Sequence, residues 1–294
     1  MKITILGSLG NIGKPLTELL SNANHEVTVI STKDDRKSEI EQLGAKAAIG
    51  TIDDLEFLTA TFKGSDAIFS MTPPNMGGTN IIQNTTNAGQ VITKAISNSG
   101  VKRVVMLSSV GADSAIDNGP IKSLYNIEQL FSELQDVSVT FLRAGYFYTN
   151  LYGNLPMIKE MNIVGGNYPG STSIPLVHPK DIAAAVAKEI IKTNSQSDIQ
   201  YIVSDYRTAN DIAKVLGNAI GKNDLQWVEF TDEQSNQGMQ QAGVPPEIAG
   251  LYTEMGVGIR TGVIQKHFLE EESPVNGNTK LEDFGNEFAL IYKD

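Results

Sequence analysis

The chain contains no cysteine among its 294 residues, which excludes a disulfide framework and a thiol nucleophile together. Histidine is almost as scarce. His25, His178 and His267 lie far apart and show none of the close spacing of metal ligands, so no metal site is expected. No apolar run approaches the length of a membrane span, and Met1-Lys2 followed by five strand-like residues is too short for the apolar core of a signal peptide. A cytoplasmic protein without a membrane partner is the expectation. Basic residues are also in deficit: 23 Lys and Arg face 34 Asp and Glu, a net charge of −11. The deficit is uneven, 12 against 15 over residues 1–150 and 11 against 19 over 151–294. Nucleic acid is therefore an improbable partner, because phosphate backbones demand a basic footprint. The run Glu270-Glu271-Glu272 reads as a solvated surface segment.

What is present begins at the N-terminus. The apolar run Ile3-Thr4-Ile5-Leu6 leads into Gly7-Ser8-Leu9-Gly10-Asn11-Ile12-Gly13, and then into a helical stretch from Lys14 to Asn22. Glycines let a chain turn tightly and approach a ligand without a Cβ in the way. The helix start beyond them offers free N–H groups and a partial positive charge to a pyrophosphate. Strand, glycine turn and helix in this order predict a dinucleotide-binding turn, with Gly7, Ser8, Leu9, Gly10, Asn11 and Ile12 as its contacts.

The first half alternates strand and helix with short links, the pattern of a parallel sheet covered on both faces. Strands are expected at Lys2–Leu6, Glu26–Ile30, Ala45–Ile49, Ala67–Ser70, Arg103–Leu107 and Val137–Leu142. Helices are expected at Lys14–Asn22, Arg36–Leu43, Asp54–Phe62, Asn80–Asn98 and Ile121–Leu134, with Gly100 as the stop of the fourth. After Arg143 the alternation loosens, and residues 144–178, rich in Gly, Pro, Tyr and Asn, are expected as loops and short helices. A helix from Pro179 to Lys192, a strand at Gln200–Val203, a helix at Ala209–Ile220, a strand at Leu225–Glu229 and two or three final helices complete the chain. The fold class is α/β: a Rossmann-type doubly wound parallel sheet with a smaller C-terminal α/β cap region. Residues 1–150, with 174–204 returning to them, form the expected dinucleotide domain, and 151–173 with 205–294 the cap. Trp227 and the stretch Tyr252–Met255 read as packing of that cap.

The end of the second strand reads the ribose in such folds, usually through an acid when the ligand is NAD. Here Ser31, Thr32 and Lys33 follow the strand, with Arg36 beyond Asp34 and Asp35. Two hydroxyls and two cations suit a 2′-phosphate, so NADP is expected, with NAD as the alternative cofactor. The competing reading is that Lys33 and Arg36 pair with Asp34 and Asp35 in solvent. Ligands in open α/β sheets lie beyond the carboxyl ends of the strands. Met71, Thr72, Pro73 and Pro74, after the fourth strand, are accordingly expected to lie along the ribose.

The glycine spacing, Gly-x-x-Gly-x-x-Gly, resembles that of extended and atypical short-chain dehydrogenase/reductases. Three further segments resemble NmrA-like proteins: Gly100–Asp113, with Val104-Val105-Met106-Leu107-Ser108-Ser109; Val139–Leu151, with Leu142-Arg143-Ala144-Gly145-Tyr146; and Ile174–Ala183, with His178-Pro179-Lys180-Asp181. That family includes NAD(P)H:quinone reductases, isoflavone-type reductases and redox-sensing regulators. The resemblance implies that Ser108, Ala144, Gly145 and Tyr146 face the cofactor, although alanine stands at 144 where the family has proline. The aromatic and apolar residues of 146–157 (Tyr146, Phe147, Tyr148, Leu151, Tyr152 and Met157) read as a flat-ring substrate pocket, with Tyr146, Phe147 and Asn150 as its expected contacts.

An absence decides the chemistry. None of the nine tyrosines has a lysine four residues on, so the Tyr-x-x-x-Lys general acid of short-chain dehydrogenases is missing. Tyr125 is followed by Gln129. No catalytic residue is assigned. A quinone accepts hydride directly and draws protons from water, so orientation alone supplies much of its catalysis. The expected function is reduction of a small quinone-like acceptor. The alternative is a non-catalytic NADP(H)-sensing regulator acting through a protein partner. His178, directly before Pro179, reads as a structural hydrogen bonder.

Overall fold

The computed structural model describes residues 1–73, 78–192 and 196–293. The strands are β1 Lys2–Ile5, β2 Glu26–Ser31, β3 Lys46–Ile49, β4 Ala67–Ser70, β5 Arg103–Ser109, β6 Ser138–Ala144, β7 Tyr146–Phe147, β8 Ile163–Gly166, β9 Ser173–Val177, β10 Asp198–Ile202, β11 Asp205–Thr208 and β12 Gln226–Glu229. The helices are α1 Gly13–Asn22, α2 Lys37–Gln42, α3 Leu55–Phe62, α4 Ile81–Ser99, α5 Lys122–Ser132, α6 Leu155–Met161, α7 Pro179–Ile190, α8 Ala209–Ile220, α9 Asp232–Gln241, α10 Pro246–Thr261, α11 Lys266–Glu270 and α12 Leu281–Lys293.

Seven strands form one sheet in the order β10-β6-β5-β4-β1-β2-β3. β1 pairs in parallel with both β2 and β4, in the registers Ile3↔Val27 and Ile3↔Ala67. β2–β3 and β4–β5 are parallel as well. The order reverses at β1, and such a switch point opens a crevice at the strand carboxyl ends. The inner strands are apolar almost throughout because helices cover both faces; Ile5, Val29, Ile68, Phe69, Val104 and Val105 are fully buried. This is the doubly wound α/β fold.

Local chemistry explains the helix ends. Pro15 sits in the first turn of α1, where its missing N–H costs nothing. The Asp54 carboxylate accepts from the Phe57 N–H at 3.0 Å, so it caps α3 rather than starting it. Gly100 ends α4 with φ +78°, a left-handed conformation that costs a glycine little. The stretch expected as one helix from Arg36 is a 3₁₀ turn at Asp34–Arg36 followed by α2.

Two compact units divide the chain. One comprises Met1–Ser108, Ser123–Arg143 and Ile182–Gln200; the other comprises Ser109–Lys122, Ala144–Asp181 and Tyr201–Asp294. Each has its own apolar core. Leu58, Phe62, Ile68, Ile92, Ile127 and Phe131 belong to the first, and Tyr148, Leu176, Leu216, Phe268, Phe284 and Phe288 to the second. In the second unit, residues 144–178 hold the short helix α6, as expected, but also three strands, β7, β8 and β9, where loops were expected. β9 was illegible because Pro175 sits inside it, and proline demotes a strand pattern. It pairs antiparallel with β11 and parallel with the two-residue β7. Among the described residues, no helix is long and apolar enough to cross a membrane, and no cluster of His, Asp and Glu could hold a metal ion.

Candidate functional site

The three glycines of the N-terminal turn have three separate physical roles. Gly7 adopts φ +106°, and a Cβ there would run into the Met71 thioether. Gly13 is buried, and a Cβ would strike the Ser8 carbonyl, so it lets the helix start close against the turn. Gly10 differs. It is exposed, and a Cβ would meet only the Gly7 carbonyl oxygen at 3.5 Å, an ordinary contact. Among the described residues, nothing crowds a side chain at position 10. The start of α1 that follows has no side-chain cap and no acid in its first turn. A helix start without a side-chain cap, preceded by an exposed glycine turn, is chemically suited to a pyrophosphate. The Lys14 N–H is held by the Gly10 carbonyl and Pro15 has none, which leaves the main chain of the turn to meet such a group.

Segments distant in sequence meet around this turn. Ser8, at φ +53°, donates its hydroxyl to Ser31 Oγ at 3.0 Å, tying the turn to the end of β2. The Lys33 N–H in turn donates to Ser31 Oγ at 3.2 Å. Met71 follows β4 and lies against Gly7. Met71 and Thr72 are half-buried and Pro73 is exposed; Pro74 lies outside the described residues. Leu9 and Ile12 are buried in the turn, so they contribute main chain, whereas Asn11 is exposed.

Thr32 and Lys33 are exposed. Arg36 does not pair with Asp34 or Asp35. Its guanidinium donates to Glu39 Oε2 at 2.6 Å, and Lys14, beside the glycine turn, reaches Glu39 Oε1 at 3.4 Å. The bond from Arg36 holds the Glu39 carboxyl below its usual range, against a smaller opposing effect of desolvation and with further help from Lys14. Two cations and one carboxylate therefore stand at the edge of the turn.

Ser108 lies deeper than expected of a ligand contact. It is buried and donates to Glu128 Oε1 at 2.5 Å. Arg143 grips the same carboxylate from two sides, Nε to Oε1 at 3.0 Å and Nη2 to Oε2 at 2.7 Å. Both partners of that ion pair are about 5% exposed. The triad joins β5, α5 and β6 and takes up the Ser108 hydroxyl proton.

The remaining expected residues belong to the second unit. The Ala144 carbonyl accepts from the Val110 N–H at 2.9 Å, and the Gly145 N–H donates to the Ile202 carbonyl at 3.0 Å. A Cβ on Gly145 would sit 2.7 Å from the Pro175 carbonyl oxygen, so glycine permits β7 to approach β9. Tyr146 and Phe147 are half-buried and Asn150 is exposed. Burial, and then the neighbouring Tyr252 phenol, push the Tyr146 hydroxyl up. Burial and then Tyr146 do the same to Tyr168. Tyr168 and Tyr252 carry no sequence signal that separates them from cap packing. His178 is structural: its Nδ1 accepts from the Lys180 N–H at 3.0 Å, leaving Nε2 to donate to Glu287 at 3.3 Å.

Comparison with known proteins follows the same lines. A model of the NmrA-like family matches residues 1–249. An NAD(P)H azoreductase of Xenophilus azovorans is 24% identical over 258 residues, spanning 86% of this chain and 85% of the relative. Among solved structures, an NADPH-dependent quinone oxidoreductase of Escherichia coli in complex with NADPH superposes with a TM-score of 0.82 at 18% identity, over 97% of this chain and 99% of the other. A Citrobacter triphenylmethane reductase in complex with NADP(H) gives 0.81 at 20% identity, over 98% and 100%. These two likenesses establish the fold.

Proposed function

The chain belongs to the NmrA-like family, and from that membership we propose that it is an NADPH-dependent reductase of small, flat, quinone-like acceptors. The observation that carries the cofactor is Gly10, exposed and uncrowded among the described residues and directly before the start of α1, which has no side-chain cap. The backbone from Gly7 to Ile12 would hold the pyrophosphate, with Ser31, Thr32, Lys33 and Arg36 beside the 2′-phosphate. Met71, Thr72 and Pro73 would lie along the ribose at the carboxyl end of β4. Complexes of similarly folded reductases with NADPH and NADP(H) support the choice of dinucleotide.

When bound, the dihydronicotinamide supplies a hydride. The acceptor then needs one further proton to become the reduced hydroquinone, and water can deliver it without a positioned acid. The chain supplies no Tyr-x-x-x-Lys pair, and its contribution is to orient the reactants. Tyr125, on α5, carries the position nearest to such a donor. Tyr125→Phe should therefore keep turnover within about tenfold, against the 10²–10⁴ that positioned acid catalysis contributes. A thousandfold fall in kcat with unchanged NADPH affinity would return carbonyl substrates to consideration.

The relative described as an azoreductase supports aromatic acceptors as the substrate class. The test is oxidation of NADPH by the purified chain, followed at the nicotinamide absorbance band against a panel of quinones and azo dyes. Turnover with at least one acceptor is expected. A cofactor-saturated protein that oxidises none of them would leave the regulatory alternative standing and the reductase reading rejected.

A further inference from the structure

A cavity of the second unit is lined by none of the residues assigned to the cofactor or the acceptor. It is a cleft of about 410 Å³ between α8 and α12, within the roughly 300–1,000 Å³ typical of small-molecule sites. α8 is amphipathic: Ile212, Ala213 and Leu216 are buried in the core of the unit, and the cleft opens on another face of the same helix. Asp211, Lys214 and Asn218 line it from α8, Glu282 and Asn286 from α12, and Arg207 from β11. Three and four residues separate neighbours along each helix, the spacing that sets side chains on one face. Val215 and Ala219 supply the apolar lining.

Hydrogen bonds hold these walls in place. The Asp211 N–H donates to the Thr208 hydroxyl and the Thr208 N–H donates to Asp211 Oδ2, each at 3.1 Å, a reciprocal cap that fixes the first turn of α8. Arg207 donates from Nε to Asp205 Oδ1 at 2.8 Å and from Nη2 to both Glu282 oxygens at 3.0 and 3.1 Å, which ties the start of α12 to β11. A Cβ on Gly285 would lie 3.3 Å from the Ala219 Cβ, so glycine lets the two helices approach closely. Among the described residues, no hydrogen bond reaches Asp211 Oδ1, the Lys214 ammonium, the Asn218 amide or Asn286 Oδ1. Solvent satisfies such atoms anywhere on a surface. What sets these apart is that one concave space of ligand size collects them.

We propose that this cleft binds a neutral polyhydroxylated molecule, a free sugar or a cyclic polyol. Donors and acceptors alternate along its lining: Lys214 donates, Asp211 accepts, and each asparagine amide does both. A hydroxyl group also donates and accepts, so neighbouring hydroxyls match such a surface. Ions of either sign are disfavoured. An anion would meet the Asp211 and Glu282 carboxylates, and a cation would meet Arg207 and Lys214. The residues that line the cleft include no aromatic ring, which disfavours a flat aromatic ligand. Val215 and Ala219 leave a small apolar patch for the C–H face of a sugar ring. The proposal does not depend on the reductase reading, because the two share no residue.

The test is saturation-transfer difference NMR on the full chain without cofactor. The probes are D-glucose, D-ribose and myo-inositol, with D-glucuronate and protonated D-glucosamine as charged counterparts. Saturable transfer to at least one neutral probe is expected, with tighter binding than either charged counterpart shows. Asn218→Leu and Asn286→Leu should each weaken it by roughly three- to tenfold, the worth of one neutral hydrogen bond. Both residues are exposed, so these variants should keep the thermal midpoint of the parent. Ala219→Leu, which fills the apolar lining, should abolish binding; should it unfold the chain, the two asparagine variants decide. Gln237→Leu, on α9, should change nothing. Transfer that is absent for every neutral probe, or that rises linearly without saturation, overturns the proposal. So does equal binding by the parent and the asparagine variants, or tighter binding of a charged counterpart.

Discussion

Two glycines only three residues apart should respond to substitution in opposite ways. A side chain at Gly10 meets no crowding inside the protein, whereas one at Gly13 strikes the Ser8 carbonyl. Gly10→Val is therefore expected to leave the thermal midpoint in place and abolish NADPH binding, measured by titration calorimetry. Gly13→Ala is expected to destabilise the fold by about 1–3 kcal/mol, the usual cost of forcing an extra carbon into packed space. Retained NADPH affinity in a folded Gly10→Val protein would remove the turn from the cofactor site. A second residue-scale expectation concerns Lys33 and Arg36. Their joint replacement by alanine should weaken NADPH more than NADH, by roughly 1–3 kcal/mol if both grip the 2′-phosphate. Arg36 is bound to Glu39 in this structure, so its share includes the cost of leaving that carboxylate. Equal losses for the two cofactors would assign both cations to the surface.

At the scale of elements, the buried Glu128–Arg143 pair joins α5 to β6, and the Ser108 hydroxyl adds β5. Buried charges gain little over well-packed apolar residues, but removing one partner strands the other in a low-dielectric interior. Arg143→Met should therefore lower stability by about 3–5 kcal/mol, read from the urea midpoint and slope. Glu128→Met in the same chain should restore a large part of that loss. A double variant no more stable than the single one would mean that the shape of the pair, and not its charge, holds these elements together. The pair could not be assigned from sequence, because Glu128 and Arg143 sit in segments that look like an ordinary amphipathic helix and an ordinary buried strand.

The chain passes between its two units five times. Residues 182–200 return to the first unit and bring Glu189, which accepts from buried Arg103 at 2.8 Å and from Thr140 at 3.2 Å. A fragment of residues 1–150 would strip Arg103 of its Glu189 carboxylate and would lack the edge strand β10. It should accordingly fail to form a stable domain, seen as loss of the cooperative thermal transition in circular dichroism. A fragment that melts cooperatively and binds NADPH would show that Glu189 and β10 are dispensable.

Much of the first unit was written in the sequence itself. Its strands are continuous apolar runs with helical periods between them, and their number and boundaries follow from local pattern to within one or two residues. The glycine turn was legible for the same reason, since strand, turn and helix are contiguous. The second unit was not. Its strands are short, one contains Pro175, and their pairings join segments up to about thirty or sixty residues apart, such as β9 with β11 and β8 with β12. Composition fixed the absence of thiol chemistry, and the spacing of tyrosine and lysine fixed the absence of the usual acid. Only tertiary structure decided that Gly10 is open while Gly13 is packed, that Arg36 reaches Glu39 rather than its neighbouring aspartates, and that Ser108 is consumed by Glu128. Each of these depends on which side chains the fold sets within a few ångströms of one another, and local sequence pattern carries no record of that distance.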